Sequence, residues 1–129
     1  MDDNMSKKAH YKAFNKVTKH TLRNMMCIVP DMSSYIDLAI IIMKATKLIG
    51  YKLPFKYYKD IFDNPYGERM RCQDTAFFTS DSFYLEGYPE VTAAIKDTIE
   101  KSSTEKLNTV WELLDCITEA RDNIITHYR

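Results

Sequence analysis

Apolar residues recur every three to four positions between residues 7 and 29, in the stretch KKAHYKAFNKVTKHTLRNMMCIV. At 100° per residue they fall within an arc of about 140°, which predicts an amphipathic helix. That apolar side comprises Tyr11, Phe14, Val17, Leu22, Met25, Ile28 and Val29. Pro30 ends the predicted helix, because the residue before a proline is disfavoured in the α region.

A second helix is predicted from about residue 33 to Ile49, in the stretch YIDLAIIIMKATKLIG. Ser33 or Ser34 can cap its first turn, and Asp37 completes a capping-box pattern with Ser34. Gly50 suits a left-handed stop. Because this helix is apolar nearly all round from residue 38 to 43, we expect it in the middle of a helical bundle.

The stretch LPFKYYKDIFDNPYG predicts a short third helix that starts near Pro54 and is broken by the turn residues DNPYG. A brief helical turn is expected over residues 68–72. Two more helices follow, one over residues 90–100 after Pro89 and one over residues 104–127. Ser102 and Glu105 have the spacing of a capping box for the last helix.

The segment around residues 72–89 has neither helical nor strand period, yet it contains CQDTAFFTSDSFYL. Asp74 can cap the turn after it, and Phe77, Phe78 and Phe83 are large enough to fill a core. We interpret the segment as an irregular aromatic strap that closes one end of the bundle. A ligand or partner contact and a catalytic loop are the alternatives.

These patterns predict an all-α fold, a compact bundle of five to six helices with the aromatic strap. The chain length of 129 residues suits one domain. We assign residues 7–129 to a single helical domain and residues 1–6 to an N-terminal tail.

The net charge of zero hides a division between the two halves of the chain. Residues 1–60 hold 11 Lys or Arg against 5 Asp or Glu, a net +6, and residues 61–129 hold 7 against 13, a net −6. The division suits either a basic face and an acidic face or two halves that neutralise each other in the fold.

A stripe of cations on the first helix is the best candidate site, and we call it the basic stripe. It consists of Lys8, Lys12, Lys16, Lys19 and Arg23, with no acidic residue between Asn4 and Pro30. Such a stripe can bind an acidic protein surface or a phosphate backbone, or it can be a solvated helix face. A single arginine and a balanced net charge favour a protein contact over nucleic acid.

Other chemistry is missing from the sequence. There is no phosphate-binding glycine loop and no HExxH zinc motif, and we predict no catalytic residue, cofactor or metal site. The three cysteines, Cys27, Cys72 and Cys116, are expected to be buried and reduced. The stretch MDDNMSKKAHYK has no signal-peptide core and no segment is long enough to span a membrane, so we expect a protein that is not secreted.

The order of these features resembles a group of small helical proteins of unknown function from nucleocytoplasmic large DNA viruses. The resemblance rests on FNKVTKHTLRNMMCIVP, on LPFKYYKDIFDNPYGERMRCQDTAFF and on STEKLNTVWELLDCITEA, and covers roughly residues 10–125. Where that group often has an acidic pair before two phenylalanines, this chain has Asp74-Thr75-Ala76. The resemblance implies a viral, non-enzymatic protein, such as a virion or minor capsid-associated component.

The functional prediction is therefore a structural or interaction protein rather than an enzyme. Contacts are expected through the basic stripe and the acidic C-terminal half, with other proteins or a capsid as partners and no small-molecule substrate. The host cell cytoplasm or the virion is the expected location. A viral nucleic-acid-binding accessory protein and a viral inhibitor of a host protein are the alternatives.

Overall fold

The protein is a bundle of α-helices, and its computed structural model describes residues 3–127, with side chains from residue 7 onward. No strand occurs among these residues, which confirms the predicted all-α class. The helices are α1 (Asp3–Ile28), α2 (Ser33–Ile49), α3 (Leu53–Tyr58), α4 (Asn64–Arg71), α5 (Thr75–Thr79), α6 (Pro89–Lys101) and α7 (Thr104–His127). A 3₁₀ turn (Pro30–Met32) precedes α2, and a π-helical turn (Lys59–Asp63) joins α3 to α4. Residues 1 and 2 of the predicted tail lie outside the described part of the chain, and α1 begins at Asp3.

The centre of the bundle is the pair of long helices α1 and α7, which make the most extensive contact between elements of the fold. Phe14 of α1 is fully buried, and Ile117 and Ile124 of α7 pack in the same cluster. Phe55 of α3 completes it, with its ring edge-on to Phe14 at a centroid distance of 5.1 Å. The predicted apolar side of the first helix is therefore the side that forms the core.

The prediction that α2 lies in the middle of the bundle is wrong. Ile36 and Ile40 are buried in a cluster with Val29, but the opposite side of the helix is open to solvent. Five of its large aliphatic side chains are exposed by about half or more. A helix that is apolar all round can be central or can lie at an edge with one face uncovered, and its sequence periodicity is the same in both cases.

Residues 53–71 form one nearly continuous helical run, so the predicted break at DNPYG is also wrong. Pro65 lies in the first turn of α4, where its missing N–H and fixed φ are tolerated. The π-helical turn just before it takes up the irregularity. Gly67 is helical and buried, and an added Cβ would lie 3.0 Å from the carboxylate of Asp63.

The predicted strap is confirmed as an aromatic cluster that packs on α7, although it contains the short helix α5. Phe78 and Phe83 are buried, with ring centroids 4.9 Å apart, and Phe77 is half-buried beside them. Trp111 of α7 packs in the same cluster and donates a hydrogen bond from Nε1 to Thr75 Oγ1 at 3.0 Å. The segment thus closes the end of the core, as the interpretation of the strap requires.

Asp74 caps α5 as the sequence predicts, since its carboxylate accepts a hydrogen bond from the backbone N–H of Phe77 at 3.1 Å. Arg69 donates a second bond to that carboxylate at 2.8 Å. These two hydrogen bonds, the one from Arg69 first, lower the pKa of Asp74. The contacts tie the strap to α4.

Both ends of α2 and the start of α7 are capped differently from the sequence prediction. Residue Met32 precedes α2 without a side-chain cap, so the capping box of Ser34 and Asp37 is not formed. Gly50 has an extended backbone (φ −168°) rather than a left-handed one. At the start of α7 the hydroxyl of Ser103, not Ser102, accepts the bond from the N–H of Lys106.

The cysteines were predicted to be buried, and all three are exposed free thiols. The prediction rested on the apolar neighbours of Cys27 and Cys116 in the sequence. In the bundle, Cys27 of α1 and Cys116 of α7 lie on sides of their helices that remain exposed. Within the described residues, no helix is both long enough and apolar enough to cross a membrane.

The buried hydroxyl of Tyr58 makes the free energy of unfolding fall at alkaline pH. Burial and then the nearby Asp63 carboxylate raise its pKa to about 12, against the weaker opposing effects of Thr118, Arg121 and Arg71. Because the folded pKa lies above the ordinary value of 10.0, this contribution is complete below pH 10 and is lost as the pH rises through about 12. We expect a loss of about 2–3 kcal/mol in the free energy of unfolding.

Denaturant unfolding at a series of alkaline pH values checks this expectation. The Tyr58→Phe variant keeps the ring and lacks the titrating hydroxyl, so it should lose less stability than the wild type between pH 10 and 12. Parallel declines for the two proteins would show that Tyr58 does not carry the effect.

Candidate functional site

The basic stripe lies on the side of α1 that is turned away from the core. Lys8, Lys12, Lys16 and Arg23 are exposed, and Lys19 is half-buried. The buried residues Phe14, Thr18 and Thr21 occupy the other side of the helix. All five cations predicted as contact candidates therefore share a continuous surface, although Lys8 at its N-terminal end lies near the ring of Tyr51, 5.8 Å from its centroid.

Helix α2 adds two cations that the sequence prediction missed. Lys44 and Lys47 line the same groove between α1 and α2 as Lys12, Lys16 and Lys19, and the groove has a volume of about 420 Å³. We call it the lysine groove. The signal in the sequence was the i, i+3 spacing of Lys44 and Lys47, but nothing in the sequence placed them beside residues some thirty positions earlier.

Among the side chains that the structure describes, no carboxylate forms an ion pair with a lysine of the groove. The pKa of Lys19 is lowered, first by burial and then by repulsion from Lys47, Arg23 and Lys44. The groove is thus a site of positive charge whose cations repel one another.

Asn15 forms part of the wall of the lysine groove and is 5% exposed. Its Nδ2 donates a hydrogen bond to the carbonyl of Tyr51 at 3.0 Å, which joins α1 to the segment after α2. Its Oδ1 has no partner within the described residues. This amide ties α1 to the chain just after α2, beside the groove.

The acidic half of the chain forms an exposed surface on α7, which meets the basic stripe at a groove between α1 and α7 that Lys16 and Glu119 both line. Glu105, Glu112, Asp115 and Glu119 are all exposed, at spacings that place them along one side of the helix. Among the side chains of residues 7–127, no ion pair joins these four carboxylates to the basic stripe. The basic and acidic rows are therefore neighbouring exposed surfaces that do not neutralise each other through direct ion pairs.

The histidines form a pair that the sequence prediction did not anticipate. His10 of α1 and His127 of α7 stack with ring centroids 4.6 Å apart, because the two helices run antiparallel. His127 Nδ1 lies 2.7 Å from the carbonyl of Asn123. Within the described residues, no group of three or more His, Cys, Asp or Glu side chains is placed to hold a metal ion.

The chemistry available in the lysine groove is therefore electrostatic. Ammonium groups are strongly hydrated point charges that attract carboxylates and phosphates without fixing their orientation. Met43 is the only apolar side chain that lines the groove, so its wall suits a charged surface better than an apolar ligand.

No protein-family model matches the chain, and neither the curated proteins nor the solved structures contain a significant match. The resemblance to helical proteins of large DNA viruses stays a prediction. A functional assignment must come from the surfaces themselves.

Proposed function

We propose that this protein is a non-enzymatic interaction protein that binds an acidic protein surface along the lysine groove and contributes to a larger assembly. The observation that supports the proposal most strongly is the convergence of five lysines from two helices, with no carboxylate among the side chains that line the groove. Such an arrangement costs stability through repulsion, and a bound polyanion relieves that cost.

The acidic stripe of α7 is a second contact surface in this proposal, since it is exposed and none of its carboxylates lines the lysine groove. Viral origin and a place in the virion or the host cell cytoplasm are proposals that rest on the sequence resemblance alone. An accessory protein for nucleic acid is the alternative function, because a phosphate backbone also attracts a row of ammonium groups.

Fluorescence anisotropy with a labelled poly-glutamate peptide tests the proposal. The Lys12→Glu/Lys47→Glu variant changes one groove lysine on each helix, and both side chains are exposed, so the fold should persist. We expect its affinity for the peptide to fall at least about tenfold, because reversed charges repel an acidic ligand.

The matched control is Lys56→Glu/Lys106→Glu, which makes the same change in net charge at two exposed lysines outside the groove. It should lose no more than about two- to threefold in affinity, the effect of net charge alone. Equal losses in the two variants would contradict a localised site. If a labelled oligonucleotide binds through the groove and the peptide does not, the nucleic-acid function replaces this proposal.

A further inference from the structure

Helix α2 carries an exposed apolar face that none of the residues with described side chains covers. Leu48 is 89% exposed and Ile49 is 80% exposed, and Leu38, Ile41 and Ile42 are each exposed by about half. Every exposed leucine and isoleucine side chain in the described part of the chain belongs to this one helix. We call these five residues the α2 face.

The spacing along the α2 face is that of a helix-pairing seam. Leu38, Ile41, Ala45 and Leu48 follow one another at intervals of three, four and three residues, the a and d positions of a heptad. Ala45 is small and exposed, so another helix can approach closely at the middle of the seam. The opposite side of α2 is anchored in the bundle by Ile36 and Ile40, so the face is held ready for a partner.

We propose that the α2 face pairs with the α2 face of a second copy of this chain, antiparallel, across a twofold axis near Met43. In that register Leu38 of each copy lies opposite Leu48 of the other, and Ile41 lies opposite Ala45, so large side chains meet small ones at the centre. A surface that fits itself in this way forms a closed dimer.

The residues that flank the seam favour the antiparallel orientation. With Leu38 at position a, Asp37 and Lys44 fall at g positions and Ile42 and Ile49 at e positions. In an antiparallel pair e positions meet e positions, so the isoleucines of the two copies extend the apolar seam on one flank. On the other flank Lys44 of each copy lies nearest Lys44 of the other, across the axis near Met43. A parallel pair would set both charges against isoleucines.

The area is sufficient for a specific interface. The five side chains leave roughly 500 Å² of apolar surface exposed per copy, and two copies together bury about 1,000 Å², near the lower limit for a specific protein interface. Lys47 and the α1 lysines stay outside the seam. A dimer would therefore carry two lysine grooves and could engage an acidic partner at two points.

Sedimentation equilibrium of the full chain tests the proposal in the absence of any other ligand. We expect the wild type to sediment with twice the mass of the chain, and Ile41→Glu/Leu48→Glu to weaken the dimer at least about a hundredfold. Both side chains are more than half exposed, so circular dichroism should show an unchanged fold. The matched control, Tyr57→Glu/Tyr84→Glu, changes two exposed residues outside the face and should remain dimeric.

A substitution beside the twofold axis tests the orientation. In the antiparallel pair the two Lys44 ammonium groups repel each other, so wild type mixed with Lys44→Glu should form a heterodimer at least about threefold tighter than either homodimer. In a parallel pair Lys44 lies against Ile49, and no such preference is expected. A wild type that is monomeric at every soluble concentration, or a dimer that survives Ile41→Glu/Leu48→Glu, would overturn the proposal. A mixture of wild type and Lys44→Glu that shows no preference for the heterodimer would overturn the antiparallel arrangement. These results are independent of peptide binding in the lysine groove.

Discussion

Replacing Phe83 with alanine should reduce the free energy of unfolding by about 3–5 kcal/mol, the range for truncation of a buried phenylalanine. Phe83 is 1% exposed and lies in the middle of the strap cluster, with ring centroids 4.9 Å from Phe78 and 5.1 Å from Tyr66. The short helix α5 and the packed rings around Phe83 allow the backbone to relax only slightly into the resulting cavity. We therefore expect a loss in the upper part of the range of about 3–5 kcal/mol.

The neighbouring residue provides the control for Phe83. Tyr84 is 50% exposed, and its contact with Tyr66 runs through its own backbone carbonyl, which alanine retains. Tyr84→Ala should therefore cost less than about 1 kcal/mol in chemical denaturation. If the two variants lose similar stability, the strap does not close the core and serves another purpose.

Replacing Asp63 with asparagine should cost about 1.5–3 kcal/mol, because Arg121 loses the charge of its buried partner and keeps only that of the more exposed Asp122. The Asp63 side chain is 5% exposed and that of Arg121 is 16% exposed, and Arg121 Nη2 lies 2.9 Å from Asp63 Oδ2. Arg121 also contacts Asp122 at 2.8 Å, and Arg71 holds Asp122 from the other side at 2.8 Å. This network ties α4 and the π-helical turn to α7.

Asp97 provides the control for the buried pair. Its ion pair with Lys101 is just as short, at 2.9 Å, but both side chains are more than half exposed. Asp97→Asn should change stability by less than about 0.5 kcal/mol, since water screens the pair. Arg121→Met removes both ion pairs of Arg121 and should cost more than Asp63→Asn, and a smaller loss would contradict this network as the cause.

Asp122 has a pKa that reflects the same network. Burial opposes its ionisation, but hydrogen bonds from Arg121 and Arg71 outweigh burial and lower the pKa of the carboxyl. Because the folded pKa is depressed, the contribution of Asp122 is present at neutral pH and is lost as the pH falls through the folded pKa.

The presence of most helices could be predicted from the sequence, because apolar residues at helical spacing indicate both a helix and its apolar face. The apolar side of α1, the cap of Asp74 on α5 and the aromatic packing of the strap were all visible in residue types and spacing. The continuation of the helix through Asn64 and Pro65 was not, because the turn preference of DNPYG is weaker than the packing of Tyr66 and Gly67 against their neighbours.

The candidate site could be predicted only in part. The basic stripe of α1 was visible as five cations on one helix face, but Lys44 and Lys47 joined it only when α2 packed beside α1. The stack of His10 on His127 likewise required the antiparallel pairing of α1 with α7. Contacts between residues far apart in the chain leave no spacing signal in one sequence.

The sequence by itself determined the all-α class, the apolar side of each long helix, the aromatic strap and the division of charge between the halves, because each depends on neighbours within a few turns. Only the tertiary structure decided that α2 lies at the edge with an uncovered face, that the cysteines are exposed, and that lysines of two helices share one groove. Burial depends on which elements pack together, and residues such as Ile41 and Leu48 would have the same pattern in either position.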